Sequence, residues 1–326
     1  EEDAGTSKHD RGDYSLIDFN RAGVPLMELV TEPVIHDAET AVRFAKELQL
    51  TLRYLGASDA NMEKGEMRVE ANISVSPSDA LGTKVEVKNL NSFKAVERAI
   101  EYEIERQIAI LEKAEGTDKG SAEGTERSEG GEKVVQETRG WDENKGITFS
   151  QRLKEDSHDY RYFPDPDLPK LFVSQIPEFS PDILKKELPE LPWQKRERLI
   201  KEFGFKEDVS NMYVSNTSLG KFFEDVVSYV KEEKAIIKLS SNYIVSDLAG
   251  MIKIEPVLAL QRNISAESFA ELMRMVEDGA VSSRGAKDTL KIMFQIGGNP
   301  RTIAESKNLL QKNDEATLLS AVEKVI

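Results

Sequence analysis

The 326-residue sequence contains no cysteine and only three histidines. The absence of cysteine excludes disulfides, thiolate zinc sites and a cysteine nucleophile, and it is typical of a reducing compartment, so we expect a cytoplasmic location. The histidines lack the spacing of a metal motif such as HExxH, and the sequence has no phosphate-binding glycine loop and no GxSxG elbow. No apolar run approaches the roughly 20 residues that a membrane-spanning helix needs, so we expect no membrane partner.

Basic residues are in the minority. The chain has 44 lysines and arginines against 59 acidic residues, which gives a formal net charge of −15. Proteins that bind nucleic acid over a large surface are usually basic, because neutralisation of phosphates supplies much of their affinity. The composition therefore disfavours a broad, non-specific nucleic-acid surface, but it allows a local basic patch or a phosphate site that a metal ion assists.

The length of the chain and its changes in pattern predict more than one domain. Residues 1–173 mix alternating and helical patterns, which is typical of an α+β domain, and residues 114–132 form a Gly/Ser/Glu-rich tract that predicts a flexible surface loop. A proline-containing connection with a first helix is predicted at residues 174–210, and an all-α domain at residues 211–326. Breaks in the helical part are expected at Gly204, Gly250, Gly279 and Gly297–Gly298. Because the chain starts at a glutamate and ends within an amphipathic pattern, we expect a piece of a longer protein.

Two alternating segments in the first region predict a β-hairpin. Apolar side chains occupy every second position of Glu66–Val75, a turn-rich segment follows at Ser76–Gly82, and the alternation resumes at Thr83–Asn89. Amphipathic helices are predicted on either side of the hairpin, one over Asp37–Gly56 with the aspartate as its N-cap, and one over Ser92–Lys113.

The polar face of this hairpin is the first candidate for a functional site. Pairing of the strands would bring acidic and basic side chains together, namely Arg68, Glu70, Asn72, Lys84, Glu86 and Lys88. Carboxylates hold Mg²⁺, whereas lysine and arginine bind phosphate oxygens and neutralise charge during phosphoryl transfer. A solvated outer face with cross-strand ion pairs is the alternative, and the pattern alone favours it.

A second candidate is Glu28, which interrupts the apolar run Val24–Val30. The run predicts a largely buried strand, in which a carboxylate is costly unless it is paired or bound to a metal. An outward position on the same strand would explain Glu28 equally well. A third acidic cluster, Glu1–Asp3, indicates by itself no more than an acidic end.

Four ordered blocks of the sequence resemble the B subunit of the aspartyl/glutamyl-tRNA amidotransferases. The blocks are Asp18–Val30, Gly65–Ser74, Glu86–Phe93, and Glu137–Trp141 together with the aromatic-rich segment His158–Asp167. They extend over nearly the whole chain, and their common order argues against a chance similarity.

The resemblance implies one half of an ATP-dependent ligase. In that family the B subunit uses ATP and Mg²⁺ to phosphorylate the side-chain carboxylate of Glu-tRNA(Gln) or Asp-tRNA(Asn), and ammonia that the A subunit releases from glutamine then displaces the phosphate. A small C subunit braces the pair, so the implied assembly is a heterotrimer. The implied fold is a cradle of antiparallel sheet and helices, similar to glutamine synthetase and the guanido kinases, followed by a helical domain and a tail that hold the tRNA.

The resemblance also implies roles for individual residues. The acids that match the family's metal ligands are Glu1, Glu2, Glu28 and Glu86, with Glu70 as a weaker match. Three cations would neutralise phosphoryl oxygens as catalytic groups, a role that we infer from their chemistry more than from the family. They are Arg68, Lys84 and Lys88. The residues expected to shape the nucleotide pocket are Asn20, Arg21 and Asn72.

Two other functions remain open at this level. The family's stretch that supplies further metal ligands is absent before Glu1, so the chain could be only a tRNA-docking and subunit-bracing module, and we expect it to be inactive alone. It could also be a small-molecule carboxylate kinase of the glutamine synthetase type, which would phosphorylate free glutamate without tRNA. The helical half, which a small-molecule enzyme does not need, disfavours the second alternative.

Overall fold

A computed structural model describes residues 2–3, 7–20, 22–118, 133–153, 167, 169–252 and 264–311. For residues 2–3, 7–11, 115–118 and 152–153 it describes the backbone alone. The chain divides into two compact units, the first made of residues 1–49 and 59–165 and the second of residues 50–58 and 166–326. Within the described part of the chain, no helix has both the length and the apolar character that crossing a membrane requires.

The first unit begins with two small antiparallel sheets. Strand β1 (Glu2–Asp3) pairs with β4 (Val24–Pro25), and β2 (Ser7–Arg11) pairs with β3 (Tyr14–Asp18). A two-stranded sheet cannot bury both of its faces by itself, and the apolar side chains of β3 and β4 are exposed.

A third sheet has four strands in the order β5 (Val69–Ile73), β6 (Val85–Leu90), β7 (Glu137–Asp142) and β8 (Ile147–Leu153). This sheet is mixed, because β6 and β7 run parallel while the other neighbours run antiparallel. The expectation of a purely antiparallel sheet is therefore wrong here. The reason is the connection from β6 to β7, which contains helix α2 (Phe93–Asp118), since a crossover of this kind returns the chain in the same direction.

The predicted hairpin is confirmed as the pair β5–β6, although β5 is shorter than Glu66–Val75. A bulge between Val69 and Ala71 shifts the register. Inward positions alternate as the sequence predicts, and Ile73, Val85 and Val87 are buried against α2. The mixture of this sheet with helices confirms the α+β class.

Both predicted helices of the first unit are present. Helix α1 (Ala38–Tyr54) starts after Asp37, whose Oδ1 accepts a hydrogen bond of 2.6 Å from the Thr40 N–H, and Gly56 follows its end with φ of +65°. This hydrogen bond lowers the pKa of Asp37. Helix α2 continues to Asp118, so residues 114–118 of the expected loop are helical, and residues 119–132 lie outside the described residues.

A buried polar network joins α2 to the sheet, and Glu103 of α2 is its centre. The fully buried carboxylate of Glu103 accepts hydrogen bonds from Arg106 Nη2 at 2.7 Å, Gln107 Nε2 at 2.9 Å and Thr148 Oγ1 at 2.9 Å. Burial by itself would raise the pKa of Glu103, but the hydrogen bonds from Arg106 and Gln107, the charge of Arg106 and the Thr148 hydroxyl outweigh it and lower the pKa.

Arg139 of β7 extends the same network across β8. Its Nε donates to Thr148 Oγ1 at 2.9 Å, its Nη2 donates to the Thr148 carbonyl oxygen at 2.9 Å, and its Nη1 donates to Glu137 Oε1 at 2.6 Å. The sequence did not predict β7 and β8 as strands, because polar residues occupy several of their inward positions. The network provides the partners that make burial of these side chains possible.

Replacement of Glu103 by alanine should lower the free energy of unfolding by about 3–5 kcal/mol, because Arg106, Gln107 and Thr148 would lose a shared buried partner. The folded-state pKa of Glu103 lies below its ordinary value of 4.5. The carboxylate therefore contributes fully above that pH and loses its contribution as pH falls through the lower folded-state pKa, and Glu103→Ala should remove this part of the acid dependence. Denaturant unfolding between pH 3 and pH 7 measures both effects.

The matched control is Glu101→Ala, since Glu101 is an exposed glutamate of the same helix. It should change the unfolding free energy by no more than about 0.5 kcal/mol. Equal losses in the two variants would contradict a special contribution from the network.

The described part of the second unit is helical, and residues 50–58, which include the last residues of α1, belong to it. Its first helices are α3 (Pro181–Glu187), α4 (Pro192–Phe203), α5 (Glu207–Ser215), α6 (Thr217–Val230) and α7 (Lys234–Tyr243). A π-helical turn (Ile244–Leu248) leads into α8 (Ala249–Ile252), and the described part ends with α9 (Ala266–Glu277), α10 (Ser283–Ile296) and α11 (Pro300–Ser306).

Aromatic rings form the centre of the second unit. The Tyr213 and Phe223 rings stack with centroids 4.7 Å apart, and Phe203 packs edge-on against Phe223 at 5.3 Å. The hydroxyl of Tyr213 donates a hydrogen bond of 2.9 Å to Ser241 Oγ, while burial raises the pKa of Tyr213. The tyrosine is therefore a satisfied core residue.

The predicted helix breaks are mostly confirmed. Gly204, Gly279 and Gly297 follow the ends of helices with φ of +68°, +68° and +73°. The break expected at Gly250 is wrong, because Gly250 lies inside α8, which continues directly from the π-helical turn.

Two helical glycines of this unit should respond oppositely to alanine. A Cβ on Gly220 would lie 2.5 Å from the carbonyl oxygen of Tyr213, whereas among the described residues nothing beyond the local helix lies within 4 Å of a Cβ on Gly250. Gly220→Ala should therefore lower the unfolding free energy by about 1–3 kcal/mol, and Gly250→Ala should raise it by up to about 1 kcal/mol. Thermal unfolding of the two variants measures the difference, and a shift of the same sign in both would contradict the close packing at Gly220.

Candidate functional site

Three charged side chains meet on the face of the β5–β6 hairpin that points away from α2. The Lys88 Nζ lies 3.1 Å from Glu70 Oε2 and 3.6 Å from Glu86 Oε1. We call Glu70, Lys88 and Glu86 the acid–lysine cluster. The sequence predicted that these three side chains share a face, and the structure brings them into direct contact.

The cluster is graded in exposure from the edge of the sheet to its interior. The side chains of Glu70 and Lys88 are 43% and 37% exposed, whereas that of Glu86 is 13% exposed. Glu86 also accepts a hydrogen bond of 2.8 Å at Oε2 from Thr138 Oγ1 of the neighbouring strand β7. Glu86 is therefore the most firmly held of the three, and the more exposed Glu70 and Lys88 are the groups that can reach a ligand above the sheet.

Electrostatics keep Lys88 charged. Partial burial alone would lower the pKa of Lys88, but the hydrogen bond and charge of Glu70, together with Glu86, outweigh burial and raise the pKa above its ordinary value of 10.5. The lysine is therefore a permanent cation at neutral pH, as a group that binds a phosphate oxygen must be.

Of the other predicted residues of the hairpin, Asn72 lies beside the cluster, whereas Arg68 and Lys84 lie at the ends of the strands. Asn72 pairs with Glu86 in the register and is exposed. Arg68 precedes β5 and Lys84 precedes β6, and because the strands run antiparallel, these two exposed cations lie at opposite ends of the hairpin. At about 3.3 Å per residue they are separated by roughly 15–20 Å along the strands, so they cannot bind the same phosphoryl group.

The interpretation of Val24–Val30 as a largely buried strand is wrong. The strand ends at Pro25, and every residue of this run is exposed, including Glu28. Proline lacks the N–H that would extend the ladder beyond the short pair with β1. The argument from a costly buried carboxylate therefore does not apply to Glu28, whose metal-binding role stays a prediction.

Several other candidates can be placed only in part. Asn20 is exposed, and its backbone N–H donates to Asp18 Oδ1 at 2.8 Å. Glu1 and Arg21 lie outside the described residues, and Glu2 is described only as part of the backbone of β1. The aromatic-rich segment His158–Asp167 lies outside the description as well, apart from the exposed Asp167.

The cluster suits a magnesium ion that is also held by phosphates. Within the ranges that the structure describes, no group of three or more Asp, Glu and His side chains could hold a metal ion. Magnesium in phosphate sites often takes only one or two carboxylates, with waters and phosphate oxygens as its other ligands. Glu70 and Glu86 fit that requirement, and Lys88 between them supplies the cation that such sites place against phosphate.

The hydrogen bond between Thr138 and Glu86 is a contact that the sequence did not predict. It lies within the block Glu137–Trp141, which carries part of the family resemblance, but no pattern of the sequence shows that its hydroxyl reaches Glu86. The two residues are far apart in the chain and meet only because β6 and β7 pair in parallel with Glu86 opposite Thr138.

Known proteins resemble the chain over both units. The family model of the GatB/GatE catalytic domain matches residues 1–176, and the model of the GatB domain matches residues 221–326. Curated relatives that are named as the B subunit of aspartyl/glutamyl-tRNA(Asn/Gln) amidotransferase align with all of the chain. The relative from Persephonella marina is 43% identical over 328 residues, and the one from Caldicellulosiruptor saccharolyticus is 41% identical over 334 residues.

The first match covers the α+β part of the chain, and the second lies within its helical part. The chain belongs to the GatB/GatE family. The resemblance drawn from the four sequence blocks is thereby confirmed, and the chain spans 64% of the length of these two relatives.

Replacement of Glu70 by glutamine should lower the pKa of Lys88, because the variant loses the negative charge nearest to the ammonium group. The pH midpoint of acylation at Lys88, followed by mass spectrometry, measures this shift independently of access to the reagent. Lys84 is an internal control, since it is exposed and precedes the same strand. An unchanged midpoint at Lys88, or an equal shift at both lysines, would show that Glu70 does not control the charge of Lys88.

Proposed function

We propose that this chain is the phosphorylating part of the B subunit of a glutamine-dependent tRNA amidotransferase. Its reaction is the ATP-dependent phosphorylation of the side-chain carboxylate of Glu-tRNA(Gln), Asp-tRNA(Asn) or both, followed by amidation with ammonia. The names of the curated relatives support the reaction. The acid–lysine cluster supports the location of the reaction. In this cluster one charged lysine and two carboxylates share one face of the sheet.

The proposed reaction has two steps. An oxygen of the substrate carboxylate forms a bond to the γ-phosphorus of ATP, and the bond from that phosphorus to the bridging oxygen of ADP breaks. Ammonia then attacks the activated carbonyl carbon, loses a proton and expels inorganic phosphate, which leaves the amide. A bound Mg²⁺ would supply positive charge to the phosphate oxygens during the transfer.

The residues of the chain have separate tasks in this proposal. Lys88 contacts a phosphoryl oxygen and neutralises the charge that builds up on it. Glu70 and Glu86 orient the lysine and offer oxygen ligands to the metal ion. Because Glu86 is largely buried and hydrogen-bonded, it fixes the geometry, while the exposed Glu70 can move when the nucleotide binds.

The wider site and the fold detail belong to the same proposal. The first unit would be the C-terminal part of a cradle related to that of glutamine synthetase and the guanido kinases, with a mixed sheet in place of an antiparallel one. Its further metal ligands are Glu1, Glu2 and Glu28, its pocket residues are Asn20, Arg21 and Asn72, and its outer cations are Arg68 and Lys84. Their separation along the hairpin favours contacts with different phosphates or with the tRNA acceptor end.

The second unit and the partners follow from the same family. The helical unit would hold the tRNA, the amidase A subunit would deliver ammonia, and a small C subunit would brace the pair as a heterotrimer. Because its substrate is aminoacyl-tRNA, the assembly would work in the cytoplasm, where translation takes place.

The proposed reaction is tested with the full-length subunit in complex with its partner subunits. Lys88→Met and Glu86→Gln should each lower the rate of phosphate transfer from labelled ATP to Glu-tRNA or Asp-tRNA by about 10²–10³-fold, as expected when one electrostatic group of a transition state is removed. Binding of the tRNA should stay unchanged. The matched control is Lys145→Met, since Lys145 is an exposed lysine on the β7–β8 turn and should leave the rate unchanged.

Two results would contradict the proposal. Full phosphate transfer in both variants would remove the cluster from the reaction. No Mg²⁺–ATP binding by the unaltered subunit would instead leave a tRNA-docking module. Phosphorylation of free glutamate without tRNA, at a rate similar to that with tRNA, would instead indicate a small-molecule carboxylate kinase.

A further inference from the structure

Thr138 contacts the most deeply placed acid of the cluster from a neighbouring strand. Its hydroxyl donates a hydrogen bond of 2.8 Å to Glu86 Oε2, and the residue is only 3% exposed. A hydrogen bond to a carboxylate is about twice as strong as one between neutral groups, and it is strengthened further where water is excluded. We infer that Thr138 is a positioning residue for Glu86, an inference that rests on the proposed function of the cluster.

The backbone places this hydroxyl with little freedom. Strands β6 and β7 pair in parallel, and their register sets Glu86 directly beside Thr138. Successive side chains of a strand point to opposite faces, so Thr138 points to the cluster while its two neighbours, Glu137 and Arg139, point to the α2 side. A β-branched side chain also has few rotamers, which holds the hydroxyl in one direction.

The buried network anchors the strand from the other face. Arg139 is bonded to both the side chain and the carbonyl of Thr148 and to Glu137, and Thr148 is bonded to Glu103. These contacts link β7 to α2 through Arg139, the residue that follows Thr138, and Glu137 before it is held by the same arginine. Thr138 therefore connects the strand that the buried network holds in place to Glu86, the acid on the proposed functional face.

The two carboxylate oxygens of Glu86 have different partners. Oε2 accepts from Thr138, and Oε1 is the oxygen that lies 3.6 Å from the Lys88 ammonium. Loss of the hydroxyl would let the carboxylate rotate and would remove the fixed direction of Oε1. Lys88 and a metal ion would then meet a misplaced acid, although the fold and the charge of Glu86 would be intact.

Two pairs of variants that differ by one hydroxyl test this role in the full-length subunit within its complex. The first pair is the natural protein against Thr138→Val, and the second is Thr138→Ser against Thr138→Ala. We expect the two variants without the hydroxyl to bind Mg²⁺–ATP about 10–100-fold more weakly than their hydroxyl-containing partners, in line with the strength of a hydrogen bond to a charged group. Equilibrium binding of labelled ATP and binding of Mn²⁺ by electron paramagnetic resonance measure the effect without turnover.

A purely structural role predicts a different result. It would lower the thermal midpoint of Thr138→Ser and Thr138→Ala equally. The affinity of the folded protein for Mg²⁺–ATP would be the same in both variants. If the Val variant does not fold, the Ser–Ala pair decides the question, because both side chains are small and only one has a hydroxyl.

Glu86→Gln separates the failure of this inference from the failure of the proposed function. If Glu86→Gln abolishes Mg²⁺–ATP binding while all Thr138 variants bind normally, the positioning role is overturned and the function of the cluster stands. If Glu86→Gln binds Mg²⁺–ATP normally, the cluster is not the nucleotide site and the inference falls with it. Weaker binding in Thr138→Val and Thr138→Ala, with recovery in Thr138→Ser, supports the role.

Discussion

The burial of the Glu103 carboxylate is the constraint on which the first unit depends. A charge in this position destabilises the fold unless several donors surround it, and Arg106, Gln107 and Thr148 provide them from the same helix and from β8. Because Thr148 lies in β8, the full set of donors surrounds the charge only when α2 and the sheet are packed together. The network therefore links local structure to the packing of the whole unit.

The same strand that completes this network also contacts the acid–lysine cluster on the other face of the sheet. In β7, Glu137 and Arg139 face the network while Thr138 between them faces Glu86. Because side chains alternate between the two faces of a strand, β7 contacts both the buried network and Glu86 of the proposed phosphate site. Such support from behind is what a phosphoryl-transfer site requires, since its catalysis comes mainly from charges held in fixed positions.

Much of the first unit was predictable from local pattern. The alternation around Val85 and Val87 indicated the hairpin and its polar face, and the Asp37 cap and Gly56 marked both ends of α1. The prediction failed where the pattern of polarity does not report burial. Strands β7 and β8 bury polar groups that are paired in space, whereas the apolar run at Val24–Val30 is exposed, including the two residues that form β4.

By itself the sequence determined the family, the α+β and helical regions, and the acids and lysine that share a face of the hairpin, because motif order and side-chain period are properties of the chain. Tertiary structure alone decided which of these groups touch. The parallel pairing of β6 with β7 brings Thr138 to Glu86 across a long crossover, and the buried charge of Glu103 joins the helix of that crossover to β7 and β8. Contacts between distant segments depend on the register and packing of whole elements, which no local pattern encodes.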